Sequence, residues 1–281
     1  MLKLIIDCHA ICHAAKHTIG DLSYEEQKVG IIFGFLRQML SLSKRFETNQ
    51  FLFCWDSKKS KRRDLYPSYK IRQPRTDEEI KFEKFAFKQF IEIRTKVLPK
   101  FGFQNSFIQT GLEADDIIAA ITLNYSNEFI IVSGDNDLFQ LLRSNVKMFS
   151  PKSKKLITVD SFTEEWGIEP EQWAEVKKIA GCRSDTVGGV PFVAEKRAVQ
   201  YLKNLANPDT KWYKNIIEWK DVIQRNEALV KLPFEGTGIP KIIETEKFYV
   251  SNFIEITEWY GFRSFQSAET MNEWITHFNM T

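Results

Sequence analysis

Three short apolar runs each end at an acidic residue, and this pattern restricts the fold more than any other feature of the chain. Leu4-Ile5-Ile6 runs into Asp7, Phe51-Leu52-Phe53-Cys54-Trp55 into Asp56, and Phe129-Ile130-Ile131-Val132 into Ser133-Gly134-Asp135. Runs of this length and apolarity read as buried strands. Helical spacing separates them. Tyr24 to Phe46 places Ile31, Phe35, Leu36, Met39 and Leu40 on one side, and Asp77 to Leu98 carries Phe on one face with Lys and Glu elsewhere. The pattern predicts an α/β fold: a mainly parallel central sheet with helices on both faces. The acids then sit just past the C-terminal ends of strands, the edge where open α/β sheets bind ligands.

Val146 to Val159 reads as a β-hairpin turning at Pro151-Lys152-Ser153, and from Ser161 onward the chain is mostly helical. No internal repeat or low-complexity linker interrupts it. Residues 1–160 are expected to form an α/β core, with a helical lobe over 161–281. With 43% hydrophobic and 27% charged residues the composition is that of a globular protein. No run approaches the roughly 20 apolar residues that span a bilayer. The start of the chain, soon acidic at Asp7, does not read as a signal peptide. A cytoplasmic protein with no membrane partner is expected. Cys8, Cys12, Cys54 and Cys182 are too scattered for a disulfide framework. Cys8-His9 and Cys12-His13 have a spacing that can grip zinc on a helix, but packing thiols and imidazoles is the favoured reading.

The acids carry the chemistry. Glu113-Ala114-Asp115-Asp116 opens a helix that continues as Ile117-Ile118-Ala119-Ala120-Ile121. Three acids in one turn either complement a helix dipole or hold a cation. Asp135-Asn136-Asp137, directly after a buried strand, tips the balance, because two carboxylates so placed can converge on one point. Asp7 and Asp56 stand at equivalent strand ends, and Asp185 lies in a glycine-rich break after a helix. Magnesium takes hard oxygen ligands and retains waters, which suits such a cluster. Two ions about 4 Å apart can activate water and stabilise a leaving oxygen in phosphodiester hydrolysis.

The net charge of +2 is uninformative, but its distribution is not. Lys58, Lys59, Lys61, Arg62, Arg63, Lys70, Arg72 and Arg75 are opposed within their stretch only by Asp64. Such a block attracts a phosphate backbone. Tyr66 and Tyr69, interleaved with these cations, can stack on unpaired bases.

Taken together, these blocks resemble the 5′-nucleases: bacteriophage flap endonucleases and 5′-exonucleases, and the 5′-nuclease domain of bacterial DNA polymerase I. The matching segments are Leu4 to Asp7, Gly34-Phe35, Trp55-Asp56 through Tyr69-Lys70, Gly111 to Asp116, Ser133 to Gln140, and Gly167 to Lys196. The resemblance implies a first metal site drawn from Asp7, Asp56, Glu113, Asp115 and Asp116, and a second from Asp135, Asp137 and Asp185, with some sharing. The cofactor implied is Mg2+, as two ions, with Mn2+ able to substitute. The resemblance also implies a helical arch at about 57–100, Lys70 at the scissile phosphate, and weaker catalytic assignments for Arg63 and Arg72. It implies a helix-hairpin-helix-like segment at about 176–204. Lys58, Lys59, Lys61, Arg62, Tyr66, Tyr69 and Lys196 are the expected DNA-binding residues.

Three departures from the family pattern stand out. Gly181-Cys182-Arg183-Ser184-Asp185-Thr186 has a cysteine where the family writes a carboxylate. Phe192-Val193-Ala194 replaces Gly-Ile-Gly in the hairpin. Ala14 replaces a phosphate-binding arginine, for which Lys16 or His13 can substitute. The expected activity is 5′-nucleolytic cutting of flap, nicked or branched DNA in replication or repair, by a monomer. The alternatives are a DNA-binding member of the fold with weakened turnover, and a nuclease removing RNA primers from RNA–DNA hybrids. The C-terminal residues Trp274 to Thr281 show no sliding-clamp motif.

Overall fold

A computed structural model describes residues 1–71 and 76–278. It is α/β, with a mainly parallel central sheet, as the strand pattern predicts. Contacts divide the chain into two compact units that interleave along the sequence: residues 1–55, 74–107 and 241–281 form the first, and residues 56–73 and 108–240 the second.

In the first unit the strands Leu2–Asp7 and Phe51–Trp55 pair in parallel, with Leu4 opposite Phe51 and Asp7 opposite Cys54. Leu4 to Ile6 and all of Phe51–Trp55 are buried, as expected for strands covered on both faces. Phe51, Phe53, Phe101, Phe103, Phe248, Phe253, Trp274 and Phe278 form a connected aromatic core, so the C-terminal helices Val250–Trp259 and Ala268–Phe278 belong here. The helix Gly30–Phe46 starts six residues later than its apolar spacing predicts. Ser23–Tyr24 and Gln27–Lys28 pair instead as a small hairpin, with Glu25 and Glu26 turning at φ 45° and 65°. That helix packs on Cys8–Ile19 at Gly34, where an added Cβ would lie 2.7 Å from Ala15 Cβ. The absent side chain sets the close approach.

In the second unit Glu128–Val132 pairs in parallel with Val146–Ser150, which turns back antiparallel onto Lys155–Ile157, the expected hairpin. The helices Trp173–Ala180 and Lys220–Val230 are tied by Asn226, fully buried, whose amide donates to the Lys178 and Gly188 carbonyls at 3.0 Å each. Trp173–Ala180 and Glu195–Leu202 flank a short antiparallel pair, Gly181–Cys182 with Val187–Gly188. Among the described residues no helix is long and apolar enough to cross a membrane.

Candidate functional site

The second unit gathers most of the acids around one turn. Ser60 caps the short helix Lys61–Leu65, and the chain then turns at Tyr66 to deliver Tyr69 and Lys70. Lys70 has left-handed backbone, φ 49°, which is sterically unfavourable for a side chain of its size. Its N–H donates to the Asp185 carbonyl at 2.7 Å, and the Arg63 guanidinium donates to the carbonyls of Tyr69 and Lys70 at 3.2 and 3.4 Å. Backbone strain held by several bonds is common where a side chain must be placed for use.

What the turn places is a bridge between two carboxylates. The Tyr69 hydroxyl lies 2.8 Å from Glu113 Oε2 and 3.1 Å from Asp185 Oδ2, with the ring buried. One phenol proton serves only one of them at a time. The Lys70 ammonium supplies the rest, 3.0 Å from Glu113 and 3.6 Å from Asp185. Burial works against the charge on Lys70, but Glu113, Asp185, Asp56 and Asp115 outweigh it and hold the ammonium above the ordinary lysine range. Burial, followed by the Glu113 and Asp185 charges, pushes the Tyr69 phenol upward, so it remains a donor at neutral pH. Glu113 is also raised, by burial first and by Asp56, against the pull of Lys70 and Arg62.

Asp56 and Asp116 hold the helix Ala114–Asn124 at its start. Asp56 Oδ1 accepts the Ala114 N–H at 2.8 Å, an anion at a helix N-terminus. Asp116 is fully buried and takes two 2.7 Å bonds from Arg62. It also accepts the N–H groups of Phe234 and Glu113 at 2.8 and 3.0 Å. Four donors fill the lone-pair positions of one carboxylate. Asp116, expected among the metal ligands, thus has both of its oxygens engaged by protein donors in this structure. Asp115 is half-buried beside Lys70's cluster.

A second group lies on the other side of Asp185. Asp135 caps the 3-10 turn Asn136–Leu141 and accepts the Asp137 N–H at 2.9 Å. Ligand atoms of Asp137, Cys182 and Asp185 all lie within 4.8 Å of one another. Asp137 Oδ1 is buried, and its close partner is the Lys177 ammonium at 2.9 Å. Cys182 Sγ lies 2.9 Å from Ser184 Oγ, and burial together with Asp137 and Asp185 pushes its thiol up to about 12. Two carboxylates and a thiol this close fit a divalent cation, with one donor softer than magnesium prefers.

The other expected residues are distributed unevenly. Arg62 and Tyr69, expected on the DNA surface, are buried at 3% and 1% exposure and committed to acids, because their charge and hydroxyl have partners inside. Arg63 is occupied with the backbone carbonyls of Tyr69 and Lys70. Lys58, Lys59 and Lys196 are exposed; Lys61 is half-buried, 6.0 Å from the Phe234 ring. Tyr66 is half-buried under the Arg225 guanidinium at 4.8 Å. Arg72 lies outside the described residues, as does part of the expected arch segment. Asp7, in the first unit, caps Cys8–Ile19 by accepting the Ala10 N–H at 3.0 Å. There too Lys16 is buried against Glu83 and His13 packs edge-on to Phe90, so both are engaged internally. Cys8 and Cys12 are buried while His9 packs on Phe90 and Trp55, the packing role favoured over zinc. Lys177 is the residue that sequence reasoning missed: it is one of several helix lysines, and only its packing distinguishes it.

Comparison with known proteins agrees with this geometry. Residues 3–167 match the family described as 5′-3′ exonuclease, N-terminal resolvase-like domain. The chain is 26% identical over 221 residues to a 5′-3′ exonuclease of Buchnera aphidicola from Schizaphis graminum, covering 76% of this chain and 70% of that one. It is 27% identical over 212 residues to a 5′-3′ exonuclease of Aquifex aeolicus, covering 72% and 71%. In fold it is similar to the bacteriophage T5 flap endonuclease solved with DNA and metal ions, with a TM-score of 0.69, 22% identity, and coverage of 83% of this chain and 90% of that one.

Proposed function

The chain belongs to the 5′-3′ exonuclease family, and on that premise we propose that it is a metal-dependent nuclease hydrolysing DNA phosphodiesters at or near the 5′ ends of flap, nicked or branched structures. The observation that carries the reading is the bridge of Tyr69 and Lys70 across Glu113 and Asp185, a strained turn that sets a cation among acids. Asp56, Glu113 and Asp115 are the proposed ligands on one side, and Asp135, Asp137 and Asp185 on the other. Asp7 is the further acid proposed from its strand-end position. Magnesium is the proposed ion, two per site, with manganese able to substitute; when bound, such ions activate water and stabilise the leaving oxygen.

This chain's own residues do the rest. Lys70 holds and orients a phosphate oxygen, and its charge counters negative charge that grows as the phosphodiester reacts. Tyr69 fixes the separation of Glu113 and Asp185. Arg62 and Asp116 fix the start of the acid-bearing helix, and Arg63 fixes the Lys70 backbone. Lys58, Lys59 and Lys196, on the surface, attract the DNA backbone. The protein is proposed to act as a cytoplasmic monomer.

The test is incubation with 5′-labelled flap, nicked duplex and RNA–DNA hybrid, with magnesium, manganese or EDTA. Metal-dependent release of 5′ fragments from flap or nicked DNA is expected; intact substrate under every metal condition overturns the reading. A second reading, a DNA-binding protein with weakened turnover, draws on Cys182 and on Lys177, which engages Asp137. Tight DNA binding without cleavage in the same assay would select it.

A further inference from the structure

Lys70 has a strained counterpart across the acids. Thr186, directly after Asp185, is also left-handed, at φ 56°. A β-branched side chain is an outlier there, because both substituents on Cβ crowd the backbone. The two strained residues are held by bonds to each other's segment. The Lys70 N–H donates to the Asp185 carbonyl at 2.7 Å. The Thr186 hydroxyl donates to the Ser68 carbonyl or, at 2.6 Å, to the Asp185 carbonyl, since one proton serves one acceptor at a time. Its oxygen accepts the Ile71 N–H at 3.3 Å, a donor that also reaches the Ser68 carbonyl at 3.2 Å. The Thr186 N–H closes its own turn on the Arg183 carbonyl at 3.2 Å.

One hydroxyl therefore reaches the backbone on both sides of the Tyr69–Lys70 pair, at Ser68 before it and Ile71 after it. Core packing cannot hold this flank. Ser68 is exposed, and Ile71 is 64% exposed despite its apolar side chain. The side chains of Tyr69 and Lys70 meet Asp185 at 3.1 and 3.6 Å. Backbone strain of this kind persists only where surrounding bonds enforce it. Here the enforcing bonds run between the segment that carries the ammonium and the segment that carries the acid.

We propose that Thr186 is a positioning residue for the cleavage reaction: its hydroxyl clasps the turn from Ser68 to Ile71 against the Asp185 segment and so keeps the Lys70 ammonium at its place between Glu113 and Asp185. Thr186 touches no substrate in this role. It acts through Lys70 and Asp185, and the assignment rests on the reading of those two as parts of a nuclease site.

Substitutions in the full chain separate the hydroxyl from the shape around it. Thr186→Val keeps the branched shape without the hydroxyl, and Thr186→Ser keeps the hydroxyl without the branch. Hydrogen exchange of the metal-free protein reads the clasp without turnover. Thr186→Val is expected to speed exchange of the Lys70 and Ile71 amides about tenfold, with Thr186→Ser within about twofold of wild type. Single-turnover cleavage of a 5′-labelled flap should slow about tenfold in Thr186→Val and recover in Thr186→Ser. DNA affinity in EDTA should stay within about twofold in both, because the clasp places an ammonium and grips no phosphate. Should Thr186→Val melt well below wild type, Thr186→Gly, which accepts the left-handed backbone, carries the same test. Exchange and cleavage within about twofold of wild type in the variants without the hydroxyl overturn the proposal. So does a Thr186→Ser variant as defective as Thr186→Val, which assigns the role to the methyl group, and so does a loss of affinity equal to the loss of rate. If exchange responds as expected but wild type cuts nothing, the clasp stands and the nuclease reading is the one that fails.

Discussion

Arg62 holds Asp116 through two parallel bonds of 2.7 Å, and neither side chain reaches solvent. Arg62 also donates to the Leu229 carbonyl at 2.9 Å, and Asp116 accepts the Phe234 N–H at 2.8 Å. The pair therefore joins three stretches of the second unit at the first turn of the acid-bearing helix. A basic residue in a run of cations is here an internal brace, and an acid in a run of acids is its partner.

Removing one member strands the other as a buried charge. Asp116→Ala should lower unfolding free energy by about 3–5 kcal/mol in urea melts. Arg62→Met combined with Asp116→Leu should recover part of that loss, since no charge is left alone. It should not recover all, because the Leu229 carbonyl and Phe234 N–H lose partners. A near-native melt for Asp116→Ala would show that the brace carries no load and return Asp116 to the metal ligands.

Lys70 is expected to separate chemistry from binding. Lys70→Ala should slow single-turnover cleavage about 100-fold, as for loss of one positioned charge at a reacting group. DNA affinity should change little, because exposed lysines supply most of the phosphate attraction. Arg63→Ala should produce a weaker version of the same defect, since it releases the Lys70 carbonyl without removing the ammonium. Unchanged turnover in Lys70→Ala would remove this lysine from the reacting phosphate.

The strand ends were legible because burial on both faces leaves an unbroken apolar run, and the acid that follows is conspicuous. Tyr69-Lys70 was legible as a pair, but its geometry was not. Tyr69 meets Asp185 across 116 residues, and Arg62 meets Asp116 across 54. Local pattern cannot tell a surface cation from one whose partner arrives from so far along the chain. The same limit hid Lys177. The late start of Gly30–Phe46 has a nearer cause: Glu25 and Glu26 take left-handed backbone, a choice that apolar spacing does not register.

Lys177 makes a prediction about metal affinity. Its ammonium lies 2.9 Å from Asp137, and burial is outweighed by Asp137 and Glu195, so it remains charged. A divalent ion at Asp137 has to displace that ammonium or share the carboxylate with it. Lys177→Met should therefore bind Mn2+ more tightly, by about threefold to tenfold in an electron paramagnetic resonance titration. Its metal-free form should melt lower, because Asp137 and Glu195 lose their ion-pair partner. Weaker Mn2+ binding would mean that Lys177 organises the carboxylates for the ion instead of competing with it.

Cys182 decides how the second group of ligands treats magnesium. Its thiol sits among Asp137 and Asp185 with ligand atoms within 4.8 Å, and its pKa, pushed up to about 12, keeps it protonated at neutral pH. Magnesium does not favour a protonated sulfur, so Asp135, Asp137, Asp185 and water should supply most of its ligands. Manganese accepts softer donors and should stimulate cleavage at lower concentration than magnesium does. Cys182→Asp adds a hard, ionised oxygen at the same position, and Lys177 is near enough to temper the added negative charge. The variant should reach half-maximal cleavage at a magnesium concentration about tenfold lower than wild type, and its advantage in manganese should shrink. Alkylation gives an independent check: the buried, protonated thiol should react slowly with iodoacetamide in the folded protein and at the ordinary rate in urea. Superimposable magnesium curves for wild type and Cys182→Asp would show that Asp137 and Asp185 complete the site unaided and that the cysteine serves only to pack against Ser184.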